Sequence, residues 1–285
     1  MTPRLPIRKT YKLFLNGQFP RSESGRAYQP EGSPGWNVAR ASRKDLRDAV
    51  GAARKALPGW QGRSAYNRGQ ILYRFGEMLE TRADSLAAEV RLGRALSAAA
   101  ARQEVARAVD LVTWYAGLCD KVQTLLGAQN AVNGPFFAFS TVEPTGVIGA
   151  LAPQHPALLG VVAFLLPLLA GGNTVVLAVS EAAPFAGLAL GEVLAVSDVP
   201  PGVVNLLAGR RGELAPHFAS HRDLDGLLLT GKPDAELGRA AADSVKRVRH
   251  ADLTAAQWRE DDRIRSLHWV EPFVEIKSLW HPVAP

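Results

Sequence analysis

No residue between Glu143 and Glu181 carries a fixed charge, and the apolar pattern of this stretch predicts three consecutive elements. Residues 147–152 are a short β-branched and apolar run, which is typical of a strand buried on both faces. Residues 158–170 are apolar on all sides and predict a buried helix, while a second β-branched run at 174–179 predicts another strand. Together they form a βαβ unit, so the sheet is expected to be parallel and covered on both faces.

The hydrophobic periodicity elsewhere predicts helices before this unit and alternating strands and helices after it. The preceding helices are expected at 43–57, from Trp60 to Leu79, at 82–92 and at 98–119. The following elements are a helix at 183–196, a strand at 203–207, a helix at 213–220, a strand at 226–229 and a helix at 234–245. This order predicts an α/β fold with a doubly wound parallel sheet and an N-terminal helical layer.

A membrane span is the competing interpretation of the apolar run at 158–170. Pro167 and the Gly171-Gly172-Asn173 sequence interrupt that run, which falls short of the roughly 20 residues that a spanning helix needs. We therefore expect no contact with a membrane.

Four motifs in sequence order resemble those of the aldehyde dehydrogenase superfamily. They are EPTGVIGA from Glu143, AGGNTVVL from Ala170, PPGVVNLLAG from Pro200 and the Thr230-Gly231 pair. The resemblance implies the cofactor-binding half of that superfamily, and it breaks from Val248 onward.

Domain boundaries follow from this resemblance. Residues 1–134 and 144–250 would form a cofactor-binding-like α/β domain, and residues 135–143 and 270–283 would be oligomerisation strands. The strand-like runs at 136–142 and 273–280 lack a βαβ partner, so we expect them to lie beside each other or beside a second copy. Residues 251–269 would then be a remnant linker in place of the catalytic domain, with an exposed charged segment at 260–265.

Aldehyde oxidation in the resembled family needs a thiolate nucleophile, an oxyanion donor and a carboxylate base. Cys119 is the only cysteine and lies in a predicted N-terminal helix, where a small buried apolar residue is expected. Ala251 falls at the position of the base, with Asp252 beside it. His155 stands where the resembled family has the asparagine that donates to the oxyanion. It either only occupies that position or, because histidine titrates near neutrality, takes part in a different chemistry. No catalytic residue is predicted.

The resemblance also implies a cofactor site that has been altered in this sequence. Glu181 keeps the position of a ribose-binding carboxylate, whereas Ala178 stands where the family has a lysine. Thr230, Gly231 and Lys232 replace the turn beside the pyrophosphate, where a helix N-terminus and the lysine charge could hold a phosphate. We expect no NAD(P) binding, or only weak NAD(P) binding, at Glu181, Thr230, Gly231 and Lys232.

Composition limits the remaining classes of function. The 285 residues are 47% hydrophobic, which suffices for a large core, and one cysteine excludes an internal disulfide and a multi-cysteine metal site. The net charge of +6 comes from scattered basic residues without interleaved aromatics, so no nucleic-acid surface is predicted. No apolar signal segment is recognised near Met1, and a cytoplasmic location is expected.

The function predicted from these observations is that of a non-catalytic homologue acting as an assembly or regulatory subunit. It would associate with itself or with a full-length aldehyde dehydrogenase, because the predicted terminal strand carries an apolar edge and the strand at 136–142 adds aromatic surface. The residues expected on that surface are Phe136, Phe137, Phe139, Phe273, Ile276, Leu279 and Trp280. The alternative is a residual NAD(P)-binding module of an oxidoreductase system. An unrelated activity near His155 and a decayed gene product are the remaining hypotheses.

Overall fold

The computed structural model describes residues 8–283 and shows an α/β fold around a five-stranded parallel sheet. The strands are β1 (Ala27–Tyr28), β2 (Val38–Ala39), β3 (Gln129–Asn130), β4 (Phe136–Pro144), β5 (Val147–Leu151), β6 (Thr174–Ala178), β7 (Val204–Leu207), β8 (Gly226–Thr230), β9 (Arg247–Ala251) and β10 (Val274–Pro282). The α-helices are α1 (Arg43–Gln61), α2 (Ala65–Thr81), α3 (Ala83–Arg91), α4 (Ala98–Leu118), α5 (Val122–Leu126), α6 (Leu159–Ala170), α7 (Pro184–Leu194), α8 (Arg211–Ser220), α9 (Ala235–Ala242) and α10 (Asp261–Ile264).

The parallel sheet has the strand order β7-β6-β5-β8-β9, which confirms the predicted doubly wound class. Every residue of β5, α6 and β6 is buried, as the uncharged sequence of this unit predicts. Helix α6 packs between the sheet and α4, so its apolar surface is covered all round. In the described part of the chain, no helix is both long enough and apolar enough to cross a bilayer.

Helix α1 begins as predicted but extends further than its proline suggests. The Ser42 hydroxyl accepts hydrogen bonds from the Lys44 and Asp45 amides, and the Asp45 carboxylate accepts one from the Ser42 amide. This reciprocal capping box fixes the start of the helix. The predicted end at residue 57 is wrong, because the helix runs past Pro58 to Gln61. Trp60, expected in the next helix, is fully buried and anchors this last turn in the core.

Strand β9 was not predicted, and it forms one edge of the parallel sheet. It pairs in parallel with β8, with Arg247 opposite Gly226 and Ala251 opposite Thr230. Its sequence is RVRHA, of which only Ala251 is buried. A strand at the edge of a sheet is partly exposed to solvent and needs no continuous apolar sequence. The hydrophobic pattern therefore does not identify β9.

The segment after β9 packs against the core. Trp258 and Ile264 are 1% and 2% exposed, and the Trp258 ring lies 5.5 Å from the Phe164 ring of α6. The charged stretch around α10 is exposed as expected, apart from Ile264 and the half-buried Arg265. Residues 251–269, expected as a linker, thus cover part of the apolar surface of α6.

A second, antiparallel sheet has the order β10-β4-β3. All nine residues of β10 pair with β4, from Val274 opposite Pro144 to Pro282 opposite Phe136. This confirms the predicted pairing of the two unpartnered strands. The expectation that Phe273 lies on the exposed edge was wrong, since it is 1% exposed and precedes the strand. The buried Asn173 amide fixes this junction by donating a 2.9 Å hydrogen bond to the Phe273 carbonyl.

Candidate functional site

The strongest candidate for a ligand-binding site lies at the carboxyl ends of β5 and β8. From β5 the chain proceeds outward to β6 and β7 on one side, and to β8 and β9 on the other. The order of the strands therefore reverses between β5 and β8. In open parallel sheets, ligands bind in the crevice outside the carboxyl ends of the strands at such a reversal. The residues that line it here are drawn from the loops after β5, β6, β7 and β8.

Arg211 places its guanidinium across this crevice from the first turn of α8. Its Nη1 donates to the Ala152 carbonyl at 3.0 Å, immediately after β5. Its Nη2 donates to the Thr230 hydroxyl at 2.6 Å and to the Thr230 carbonyl at 3.2 Å, at the end of β8. One guanidinium thus joins the two strands on either side of the reversal. Burial lowers the pKa of Arg211, and the nearby Glu181 carboxylate opposes that effect.

Glu181 lies in the loop after β6 and is bound by the N-terminus of α8. Its Oε2 accepts a 2.7 Å hydrogen bond from the Arg211 amide, and its Oε1 accepts one of 2.8 Å from the Arg210 guanidinium. Arg210 also stacks 5.0 Å from the Tyr28 ring centre. A carboxylate at a helix N-terminus is favoured by the helix dipole and by the free amides. Helix α8 has no side-chain cap of its own, so Glu181 supplies the capping charge.

The turn after β8 contains the other three predicted site residues. The Thr230 hydroxyl donates to the Leu151 carbonyl at 3.2 Å, which ties β8 to β5 in addition to the sheet pairing. Gly231 adopts φ +88°, with open space where a side chain would project, and Lys232 is exposed. Helix α9 follows, and the Asp234 carboxylate caps it by accepting from the Glu236 and Leu237 amides at 2.8 and 3.1 Å.

His155 lies in a separate cleft of about 390 Å³ beside the start of α6. Its exposed ring shares this cleft with Arg94. The adjacent Glu104 carboxylate is buried, accepts a 2.8 Å hydrogen bond from the Leu158 amide and pairs with Arg94 at 3.5 Å. Burial lowers the pKa of His155, the Arg94 charge lowers it further and the Glu104 charge opposes both. A neutral imidazole next to a guanidinium can donate or accept a hydrogen bond, but no nucleophile contacts it in the described residues.

The sole thiol is unsuited to nucleophilic chemistry. Cys119 is 1% exposed at the end of α4, and its Sγ donates to the Tyr115 carbonyl at 3.3 Å. Burial raises the pKa of this thiol to about 12, so it stays protonated at neutral pH. Ala251, at the position expected for a base, is buried in β9, and the neighbouring Asp252 is exposed. Among the described residues, no group of three or more His, Cys, Asp and Glu side chains is arranged to hold a metal ion.

A doubly wound sheet with a crevice at its strand reversal is the architecture of nucleotide-binding α/β proteins. Comparison with known proteins narrows this class. Residues 21–251 match the model of the aldehyde dehydrogenase family, and the chain belongs to that family. It is 32% identical to retinal dehydrogenase 2 of Mus musculus over 260 residues, which are 87% of this chain and 49% of the relative.

Solved structures show the same fold. PnpE from Pseudomonas sp. WBC-3 superposes with a TM-score of 0.80 at 26% identity, covering 85% of this chain and 50% of that protein. An NADP dependent enzyme of E. coli superposes with a TM-score of 0.78 at 26% identity, covering 85% of this chain and 51% of that protein. The chain therefore spans about half the length of the curated relatives and solved structures that it matches.

The structure brings together two of the four predicted cofactor-site residues, Glu181 and Thr230, and joins them through Arg211. Gly231 and Lys232 lie next to Thr230 but make no side-chain contact with Glu181. Arg211 was missed by the sequence interpretation, although an arginine pair directly after a buried strand end was a visible signal. Both polar side chains, Glu181 and Thr230, already have hydrogen-bond partners within the chain.

Proposed function

We propose that this chain is a non-catalytic member of the aldehyde dehydrogenase family that acts as an assembly or regulatory subunit. It associates with itself or with a full-length aldehyde dehydrogenase through the free edge of β10. The observation that carries this proposal is the β10-β4-β3 sheet, in which the nine-residue strand β10 lies at the outer edge and exposes Ile276, Leu279 and Trp280.

Two observations support the absence of catalysis in this chain. Family activity needs a thiolate, and Cys119 is buried with a raised pKa of about 12 at the end of an N-terminal helix. A base would have to come from the end of β9, where Ala251 carries no ionisable group. The 285 residues contain no other cysteine that could replace Cys119.

The edge of β10 has the features of a surface that binds another strand. After Val274, every residue of β10 is exposed, and Ile276 and Trp280 expose 54% and 61% of their surface. The Trp280 ring packs edge-on against Phe136 of β4, which is itself 39% exposed, at 5.6 Å between ring centres. Long, flat and apolar edge strands pair readily with further strands, because their backbone amides and carbonyls have no partner on that side.

The charges on this sheet are few and already paired. Lys277 pairs with Glu143 at 3.0 Å and Glu275 pairs with Arg247 at 2.6 Å, both near the start of the strand. The remaining length, from Ser278 to Pro282, carries only His281 as a titratable group. The outer half of β10 is therefore the part that a second strand can cover without removing a fixed charge from water.

Light scattering on the purified chain tests the proposal. We expect a particle of about twice the 30.6 kDa of one chain, and a monomer for the Ile276→Lys/Trp280→Lys double variant. Val196→Lys is the matched control, because Val196 is 45% exposed on the loop after α7, away from β10. A version ending at Glu271 is a poorer test, because it removes the buried Phe273 and the carbonyl that Asn173 binds.

The mixed assembly needs a second measurement. The chain is co-expressed with a full-length aldehyde dehydrogenase from the same cell, and native mass spectrometry gives the stoichiometry of the purified particle. Loss of the mixed particle in the Ile276→Lys/Trp280→Lys variant, with retention in Val196→Lys, supports pairing through β10. If the unaltered chain is a monomer at micromolar concentration and forms no mixed particle, the proposal fails. Assays for NAD(P)H production from aldehydes by the chain alone test the non-catalytic part.

A further inference from the structure

We infer that the crevice at the strand reversal is closed by the chain's own charged side chains and excludes dinucleotides. The inference is independent of the association through β10. It rests on three groups of the described structure: the Arg211 guanidinium, the Glu181 carboxylate and the Asp234 carboxylate. The first lies on the strand ends, and the two carboxylates accept from the helix N-terminal amides to which a phosphate would otherwise bind.

The first group closes the floor of the crevice. The Arg211 guanidinium lies directly on the carboxyl ends of β5 and β8, with hydrogen bonds to the Ala152 carbonyl, the Thr230 carbonyl and the Thr230 hydroxyl. These oxygens carry the partial negative charge of the strand ends, which a guanidinium satisfies with its planar set of donors. A ligand that entered here would have to displace Arg211 and leave those oxygens without a partner.

The second and third groups occupy the two helix N-termini that face the same crevice. Such termini bind phosphate because their free amides and the helix dipole favour negative charge. At α8 the Arg211 amide already donates to Glu181, whose other oxygen pairs with Arg210. At α9 the Glu236 and Leu237 amides already donate to Asp234. A pyrophosphate would meet carboxylates at both termini instead of free amides.

Glu181 and Asp234 also repel the phosphates of a dinucleotide, whereas the Arg210 and Arg211 charges are already taken up by Glu181 and the strand-end carbonyls. Like charges placed together at an interface reduce affinity strongly. Lys232 is exposed near the α9 terminus, yet Asp234 is two residues away and already caps that helix. Ala178 acts in the same direction, because it stands where the resembled family has a lysine, and the Arg211 guanidinium fills the crevice.

Calorimetric titration of the full chain with NAD+, NADP+ and ADP-ribose tests the inference. For the unaltered chain we expect no saturable binding up to about 1 mM ligand. For the Arg211→Gly/Asp234→Asn variant we expect a measurable dissociation constant that lies at least about tenfold below this 1 mM limit. Asn replaces Asp at a helix N-terminus with little loss of capping, so Asp234→Asn removes the charge and keeps α9. Arg210→Gln is the matched control for the loss of a guanidinium, since it removes the partner of one Glu181 oxygen but leaves Arg211 on the strand ends.

A second measurement examines the unaltered chain itself. NMR of the unaltered chain should show Arg211 guanidinium protons that exchange slowly with water, assigned by their absence in Arg211→Lys. Micromolar binding of NAD+ by the unaltered chain, or a fast-exchanging Arg211 guanidinium, would overturn the inference. So would a folded Arg211→Gly/Asp234→Asn variant that binds none of the three ligands. Binding by Arg210→Gln equal to that of the double variant would show that Arg210, and not Arg211, closes the crevice.

Discussion

The packing of Trp258 provides the sharpest test of whether the segment after β9 belongs to the cooperative core. Its side chain is 1% exposed, and its ring lies 5.5 Å from Phe164 and 5.7 Å from Trp269. Replacing a fully buried tryptophan by alanine costs about 3–5 kcal/mol, because apolar contact is lost and a cavity remains. The two ring pairs contribute about 0.5–1.5 kcal/mol each to the interactions that are lost. We expect Trp258→Ala to lower the free energy of unfolding by about 4 kcal/mol.

Urea unfolding followed by circular dichroism measures this change. Trp269→Ala is expected to cost about half as much, because Trp269 is only partly buried, although its indole donates to the Arg263 carbonyl at 2.7 Å. Tyr66→Ala is the control for a large exposed aromatic, and we expect a change within about 0.5 kcal/mol since Tyr66 is 65% exposed. A cost below about 1 kcal/mol for Trp258→Ala would mean that residues 251–269 detach without unfolding the sheet, as a linker would.

Three further outcomes follow from single residues. Val245 is 89% exposed and has a backbone φ of +54°, a conformation that strains a β-branched residue and that asparagine tolerates. Val245→Asn should therefore stabilise the fold by about 1 kcal/mol in thermal unfolding, and the absence of any gain would contradict backbone strain at this position. Burial and the Arg94 charge lower the pKa of His155, so the folded state loses stability as the pH falls through the ordinary histidine pKa to this lower value. The Arg94→Gln variant should raise the pKa of His155 in an NMR titration, and an unchanged titration midpoint would argue against the charge effect. Cys119 should react with thiol reagents only on unfolding, and rapid labelling of the native chain at neutral pH would show that the thiol is accessible.

The sequence pattern predicted the fold best where burial is complete. Strands β5 and β6 and helix α6 have near-continuous apolar sequences, because both faces of the sheet are covered. Prediction failed where a residue acts through tertiary contacts. Pro58 marked a helix end locally, but burial of Trp60 keeps the last turn helical. Strand β9 lies at an edge and is charged, so neither alternation nor an apolar run identified it.

The site was less predictable than the fold because it depends on which charges meet. Glu181 was identified as a retained polar position, but its partners come from 29 and 30 residues further along the chain. Arg211 reaches the ends of β5 and β8 only because strand pairing brings Ala152 and Thr230 together. The spacing of Arg211, Ala152 and Thr230 along the sequence does not show that they are close together in the fold. The cap formed by Asp234 was not predicted, and its effect on a ligand depends on the direction in which α9 points.

The sheet edges formed by β9, β3 and β10 differ in a way that limits how many copies can join. The outer edge of β9 carries Arg247 and Arg249, charges that discourage a further strand, whereas β3 is only two residues long. Strand β10 is thus the long apolar edge in the described chain. When two copies place β10 against β10 about a twofold axis, each edge covers the other and the joint sheet ends at both sides in β3. Self-association of this kind is closed at two chains and gives no route to a filament.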